Sequence, residues 1–474
     1  VTRSTDHRRI AARPRPDPVP SSHPGHGAVP HAAGTSFRVW APHADGVAVA
    51  GSFDGWRAGI PLAAEEGGWW SGDLLGVGPG TEYRYVLSLG DEIAWRTDPW
   101  TRALSADRNS VVVDDDAFAW GDDHHVLPAW NELVLYELHV GTFGGTFDGC
   151  TDRLDHLVSL GVNAVALLPV AEFCGQASWG YETTHPFAVE STYGGQDALK
   201  RFVREAHRRG IAVLFDLVYN HFGPHDLDLW RYDGWSEHGR GGIWFYQDPR
   251  CETPWGETRP DYGRPEVRTY IRDSAIRWLE VYRGDGVRWD GTVFVRRTKF
   301  DSSGEDLPDG WQLLADLNTE IRSRWPNFLS IAEDLQHDPV VVRPPSEGGL
   351  GFSTQWDAAF LHAVRRAVRA PSDTERDLGE VCRSLVHRYG DDAFARVVYS
   401  ESHDACANGD VRVPEEIRPG DADSPEAQAR ARLAATLVLT APGIPMLFQG
   451  QELGAGGSFD TEPMPWDRGP DAEP

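Results

Sequence analysis

The chain has 474 residues, of which 40% are hydrophobic and 25% charged, and its formal net charge is −27. This is the composition of a soluble globular protein rather than a disordered or membrane-spanning one, and the length calls for two or three domains. The charge argues against nucleic acid and anionic membrane surfaces, which would repel so acidic a chain, whereas a neutral polymer is indifferent to it.

Five cysteines (Cys150, Cys174, Cys251, Cys382 and Cys406) are scattered without a CxxC pair. Neither a disulfide framework nor a zinc site is expected, and a reducing, cytoplasmic compartment is. No run of about 18 apolar residues reads as a membrane span, and no apolar segment follows the basic start as in a signal peptide.

Residues 1–33 are rich in Pro, His, Gly and Arg and lack a hydrophobic period, so they read as a disordered lead. Residues 34–122 change to short alternating strands (SFRVWAP, GVAVAGSF, GWWSGDLL, TEYRYVLS) with turn pairs such as Asp54-Gly55 and Pro79-Gly80. They predict a small all-β, immunoglobulin-like sandwich. Nineteen tryptophans offer flat surfaces on which sugars stack, but Trp56, Trp69 and Trp70 are read as core of the sandwich.

Over residues 123–474 the rhythm becomes strand then helix. Apolar runs fall at Leu133–Val140, Ala164–Pro169, Ala212–Val218, Gly286–Asp290, Phe328–Ala332, Gly351–Trp356, Val397–Ser400 and Pro445–Gln449. Helix-period segments such as DALKRFVREAHRRG lie between most of them. Near-continuous apolar strands alternating with helices indicate a parallel sheet buried on both faces. Eight of them predict an α/β fold, a closed (β/α)8 TIM-type barrel, with an open doubly wound sheet as the alternative. No apolar helical run follows the eighth strand, so the barrel is expected to be truncated at its C-terminal end.

The functional groups of such barrels gather where the strands end. The third run ends in Asp216 and leads to Asn220 and His221. The fourth carries Arg288 and Asp290, the fifth ends in Glu333 and Asp334, and the seventh in Glu401, His403 and Asp404. One such acid is an ordinary helix cap or turn former. Acids at four strand ends, two of them beside a histidine, point to acid–base or metal chemistry. Metal coordination is the weaker option, because the Arg288 cation would oppose it.

The segments FDLVYNH, GVRWDG, SIAED and SESHD, in this order and on these strands, resemble the α-amylase family of glycoside hydrolases and transferases. SWGYETTHPFAVESTYGG and PGIPMLFQGQE extend the likeness across residues 130–452, and VAVAGSFDGW with GTEYRYVL resembles the starch- and glycogen-associated sandwich of branching and debranching members. The resemblance implies that Asp290 is the nucleophile, with Arg288 holding its carboxylate. It makes Glu333 the general acid and then the base, and it has Asp404 grip the sugar hydroxyls. His221 and His403 would bond the sugar, Tyr181 would stack beneath it, and Asp216 would orient the site. Asn220 matches a position that faces calcium in some amylases; a calcium ion is possible but no cofactor is required. Retention of configuration sets the two carboxyls roughly 5–5.5 Å apart.

Trp179 and Tyr181 could instead be core, His185 is balanced between turn and sugar contact, and Asp334 and Glu401 are placed behind the site. The implied partner is an α-1,4-linked glucan such as glycogen, amylose or maltooligosaccharides, with no nucleic acid and no membrane. Transfer to a 6-hydroxyl would make a 1,4-α-glucan branching enzyme; water as acceptor would make an amylase-type or trehalose-releasing hydrolase. The sandwich, Gly291 after Asp290, and SESHD favour branching, whereas the TVFVRR run departs from that pattern. A third reading, a glucan-binding protein without turnover, follows if the uncovered eighth strand keeps the barrel from closing.

Overall fold

The structure, a computed structural model, describes residues 17–57, 59–175, 178–223, 227–460 and 462–468. Two antiparallel sheets lie at the N-terminus. One contains Gly27–His31, Gly34–Trp40, Trp69–Leu75 and Ala63–Ala64. The other contains Ile60–Pro61, Gly46–Gly51, Glu82–Leu89 and Glu92–Arg96, with Ser110–Val111 paired to Glu82–Leu89. Alternate residues of these strands, among them Phe37, Val39, Val47, Val49, Tyr83 and Tyr85, are buried between the sheets.

The reading of residues 1–33 as disordered is corrected from residue 17 onward; residues 1–16 lie outside the described residues. Gly27–His31 is an edge strand paired with Gly34–Trp40. The segment before it is held by the Arg38 guanidinium, which donates to the carbonyls of Ser21, His23 and Gly25. The His26 ring stacks on Trp69. Composition hid this strand because GAVPH is short and sits beside Pro-, His- and Gly-rich sequence, although its partner strand follows directly. Trp56 is also corrected. It is 37% exposed beside the equally exposed Trp95, with ring centroids 6.4 Å apart, while Trp69 and Trp70 are half-buried.

Eight parallel strands form a closed barrel: Leu135–Leu138, Ala164–Leu167, Ala212–Leu217, Gly286–Trp289, Leu329–Ala332, Thr354–Trp356, Arg396–Val398 and Ile444–Phe448. The eighth pairs with the seventh and with the first, in the register Leu135↔Met446, Tyr136↔Leu447 and Glu137↔Phe448. Closure agrees with the predicted (β/α)8 barrel and removes the premise of the reading without turnover, that an uncovered eighth strand keeps the barrel from closing. Ile444, Met446 and Phe448 are buried. The chain beyond them folds back across the first strand's exit, where the Met464 amide donates to Thr142 O and the Trp466 indole to Phe143 O.

Helices Gly195–Arg208, Pro265–Glu280, Pro308–Arg324, Ala358–Arg369 and Pro425–Thr440 carry the chain back between strands. No helix among the described residues is long and apolar enough to cross a membrane. Two excursions interrupt the alternation. A hairpin of Ala171–Phe173 with Thr183–Val189 follows the second strand, and a long loop over residues 218–264 follows the third. Both stand on the rim where the acids lie.

The sandwich and barrel share one core. Trp100 packs edge-on against Trp244 and Tyr270, with centroids at 5.6 and 5.0 Å. Around these rings Asp115 accepts from the buried Arg277 guanidinium, and the Thr97 amide donates to Asp228 at 2.9 Å.

Candidate active site

Arg288 and Asp290 are two residues apart at the end of the fourth strand and therefore share a face. That places the Arg288 guanidinium, buried to 3% side-chain exposure, among three carboxylates. Nη1 donates to Asp216 at 2.8 and 2.6 Å and to Asp290 Oδ1 at 2.8 Å, and Nη2 lies 2.7 Å from Glu333 Oε2. The cation also sits over the Trp356 ring, 4.8 Å from its centroid.

One buried cation faces three buried carboxylates, so burial favours a proton on at least one of them. Burial, helped by Asp290 and Asp404 and opposed by Arg288, pushes Glu333 up to about 8. Burial likewise raises Asp216, but only to about 6, since Arg288 and the Tyr181 hydroxyl bond it directly. At neutral pH Glu333 is thus protonated and Asp216 is charged. Dissimilar carboxyls side by side are what acid–base chemistry requires.

Asp290 is gripped from the other side by Asn220, whose amide donates to its backbone oxygen at 3.0 Å and to its carboxylate. Asn220, which the family likeness related to a calcium-facing position, here serves the Asp290 carboxylate. Its Oδ1 meets His221 Nδ1, so that nitrogen carries the proton. The buried His221 Nε2 makes no hydrogen bond of good geometry within the protein, and burial, opposed by Asp290 and the Tyr181 backbone, lowers the ring's pKa to about 4. Gly291, at φ +49°, makes the turn after Asp290. A Cβ there would stand 2.4 Å from Asn220 Nδ2, and its amide donates to Glu333 Oε2 at 2.8 Å. The turn therefore joins the fourth and fifth strand ends.

His403 is bonded through Nδ1 to Glu137 at 2.8 Å and lies 3.4 Å through Nε2 from Asp404. Burial opposes its charge, but Asp404 and Glu137 outweigh burial and raise it to about 9. Glu137 lies in the first strand, one residue before its end, and was not singled out from the sequence; an acid inside LYELHV looks like an alternation break. Tyr181 stacks on His403 at 5.0 Å. Its loop is turned by Gly180 (φ +95°), where a Cβ would fall 2.2 Å from Pro169 O.

These side chains line a cavity of about 320 Å³. Trp179, Tyr181, His221, Asp290, Glu333, His403 and Asp404 all reach it, and Asp216 and Arg288 lie directly behind. Asp404 is the most open of the acids, its side chain 49% exposed. His185 does not belong to this group: it is buried in the hairpin and bonded to Thr184 and Thr97. Glu401 is paired with Arg412 and the Val413 amide, and Asp334 with Arg296 in a two-pronged buried bridge at 2.8 and 2.7 Å. The cavity also recruits Trp255, Phe294 and Phe300. None of the three is singled out by sequence alone: Trp255 and Phe300 stand on irregular loops, and Phe294 on the short helix Thr292–Arg296 inside the TVFVRR run.

Comparison with known proteins agrees with this architecture. Residues 105–250 match the alpha amylase catalytic domain, and residues 26–101 match carbohydrate-binding module 48, the isoamylase N-terminal domain. A 1,4-alpha-glucan branching enzyme GlgB of Salinibacter ruber is 30% identical over 93% of this chain and 74% of its own length. Another, from Corynebacterium jeikeium, is 32% identical over 89% of this chain and 61% of its own. This chain thus spans three fifths to three quarters of these two relatives. Among solved structures, a pullulanase of Anoxybacillus sp. LM18-11 complexed with maltotriose shares the fold, with a TM-score of 0.76 over 94% of this chain and 70% of its own at 21% identity.

The chain belongs to the α-amylase family, as an N-terminal carbohydrate-binding module 48 joined to the family's (β/α)8 barrel.

Proposed function

We propose that this chain is a retaining α-glucan-active enzyme that moves glucan segments, a 1,4-α-glucan branching enzyme. The observation that carries the chemistry is the Arg288 hub, which binds both Asp290 and Glu333, with burial raising the Glu333 pKa. In the first displacement an Asp290 oxygen bonds to C1 of the sugar as the C1–O4 bond breaks, and Glu333 gives its proton to the departing oxygen. In the second, a 6-hydroxyl of another chain bonds to C1 and the C1–Asp290 ester breaks. The hydroxyl proton returns to Glu333, which ends as it began.

Around this exchange Tyr181 lies beneath the ring, and His221 Nε2 accepts from a sugar hydroxyl. Doubly protonated His403 donates, and the Asp404 carboxylate accepts from two hydroxyls. Asp216 and Asn220 fix Arg288 and Asp290 and touch no sugar.

The choice of a glucan hydroxyl over water is supported by the relatives named as branching enzymes and by the carbohydrate-binding module ahead of the barrel. A cytoplasmic glycogen-type polymer is the substrate this reading implies. Incubation with amylose tests it when iodine absorbance and reducing ends are followed together. Iodine colour falling while reducing ends stay flat is the expected result. Both changing in proportion would make the protein a hydrolase, and neither changing would remove the enzymatic reading.

A further inference from the structure

Two aromatic groups reach the cavity that holds Asp290 and Glu333. One is Trp179, Tyr181 and His403, where the proposed mechanism seats the donor sugar. In the other, Trp255 stacks on His221 at 4.5 Å and meets Phe294 edge-on at 5.1 Å, and Phe294 lies 6.3 Å from Phe300. Trp255 and Phe300 are 43% and 45% exposed, an unusual display of large apolar surface. Phe294 and Phe300 also form the wall of a second cavity of about 590 Å³, whose other lining includes Arg250, Lys299 and Glu305. Rings on one wall and charged groups on another suit a sugar chain, which has apolar C–H faces and hydroxyl edges.

The segment that builds this wall is the one that departs from the branching-enzyme pattern. Residues 292–296 form a short helix anchored by the buried Arg296–Asp334 bridge. Residues 297–306 then close as a hairpin through an Arg297↔Asp306 bridge. Inside it the Thr298 amide donates to Glu305 O, and the Glu305 amide to Thr298 Oγ1, each at 2.8 Å. The buried Arg259 guanidinium donates to Thr298 O at 2.9 Å from behind. Phe300 is therefore held at a fixed tip rather than on a floppy loop.

We propose that Trp255, Phe294 and Phe300 form the shelf on which the acceptor glucan strand lies, running from the catalytic cavity into the second one. The proposal rests on the reading of the protein as an α-glucan-active enzyme. The same shelf holds the leaving strand during the first displacement, so it serves whichever acceptor follows.

Two measurements separate the shelf from the choice of acceptor. In Asp290→Asn protein, maltoheptaose should slow amide exchange within residues 297–306, where the Thr298 and Glu305 amides are already hydrogen-bonded. The added Phe300→Ala substitution should abolish that slowing. Absence of any slowing in Asp290→Asn, or its persistence after Phe300→Ala, overturns the shelf. In otherwise wild-type protein acting on amylose, Phe300→Ala should raise reducing ends per unit of iodine colour lost by roughly five-fold, and Phe300→Tyr should restore the original ratio. An unchanged ratio would show that the ring does not favour the glucan acceptor. A wild-type protein that frees a reducing end at every cleavage would defeat the branching reading, leaving the shelf to be judged by the exchange data alone.

Discussion

Glu333 and His403 show how burial and neighbours assign protons within one rim. In the proposed reaction Glu333 gives a proton to the leaving strand, and burial holds it protonated up to about 8. The rate of the first displacement is therefore expected to fall as pH rises through about 8. In Glu333→Gln this limb should vanish along with a 10²–10⁴-fold share of turnover, as a kcat/KM pH profile would show. His403 is raised by attraction to carboxylates rather than by burial. Its folded pKa is raised to about 9 from an ordinary 6.5, so its pairing with Glu137 and Asp404 stabilises the fold fully below pH 6.5. That contribution fades as pH climbs through about 9. Glu137→Gln should lower the His403 pKa, read by NMR titration of the ring; a value still near 9 would contradict the pairing as its cause.

At the scale of elements, the turn after the fourth strand governs the site. Gly291 has left-handed backbone, donates to Glu333 and has Asn220 pressed against it. Gly291→Ala should cost roughly 1 kcal/mol in backbone strain alone. Displacement of Asn220 should also cut kcat at least ten-fold with KM little changed, because the substitution moves Asp290 rather than the sugar contacts. Thermal melting and steady-state kinetics on the variant check both parts.

The same scale shows what sequence could reveal. Each barrel strand fell on a short apolar run, because a strand buried on both faces has no solvent side to break its pattern. Acids stood out because each followed such a run: Asp216, Asp290 and Glu333 are legible as interruptions. The edge strand Gly27–His31 was missed although its partner strand follows directly, because GAVPH is short and flanked by Pro, His and Gly. Glu137 and the aromatic shelf were missed because what gives them their place is not local. His403 gives Glu137 its meaning, and the hairpin over residues 297–306 gives Phe300 its place.

Across the whole molecule, the N-terminal sheets and the barrel behave as one packed body. Trp40, Trp100 and Trp244 belong to a single hydrophobic cluster spanning both, and Asp115 satisfies buried Arg277 across the junction. Heating should therefore give one sharp unfolding transition in calorimetry rather than separate steps for module and barrel. Asp115→Ala should destabilise by about 3–5 kcal/mol, since it leaves a buried guanidinium unpaired. Two resolved transitions in the unaltered protein would show that the shared core does not couple the units.

The central claim is that Asp290 carries the glycosyl group between donor and acceptor. It is tested most directly by trapping that ester. Glu333→Gln protein, given an α-maltosyl fluoride whose leaving group needs no acid, should glycosylate and then stall for want of the base. Mass spectrometry of the digested protein should find one maltosyl group on the peptide containing Asp290 and none when Asp290→Asn is added. An adduct on another residue, or rapid turnover with no adduct, would contradict the account.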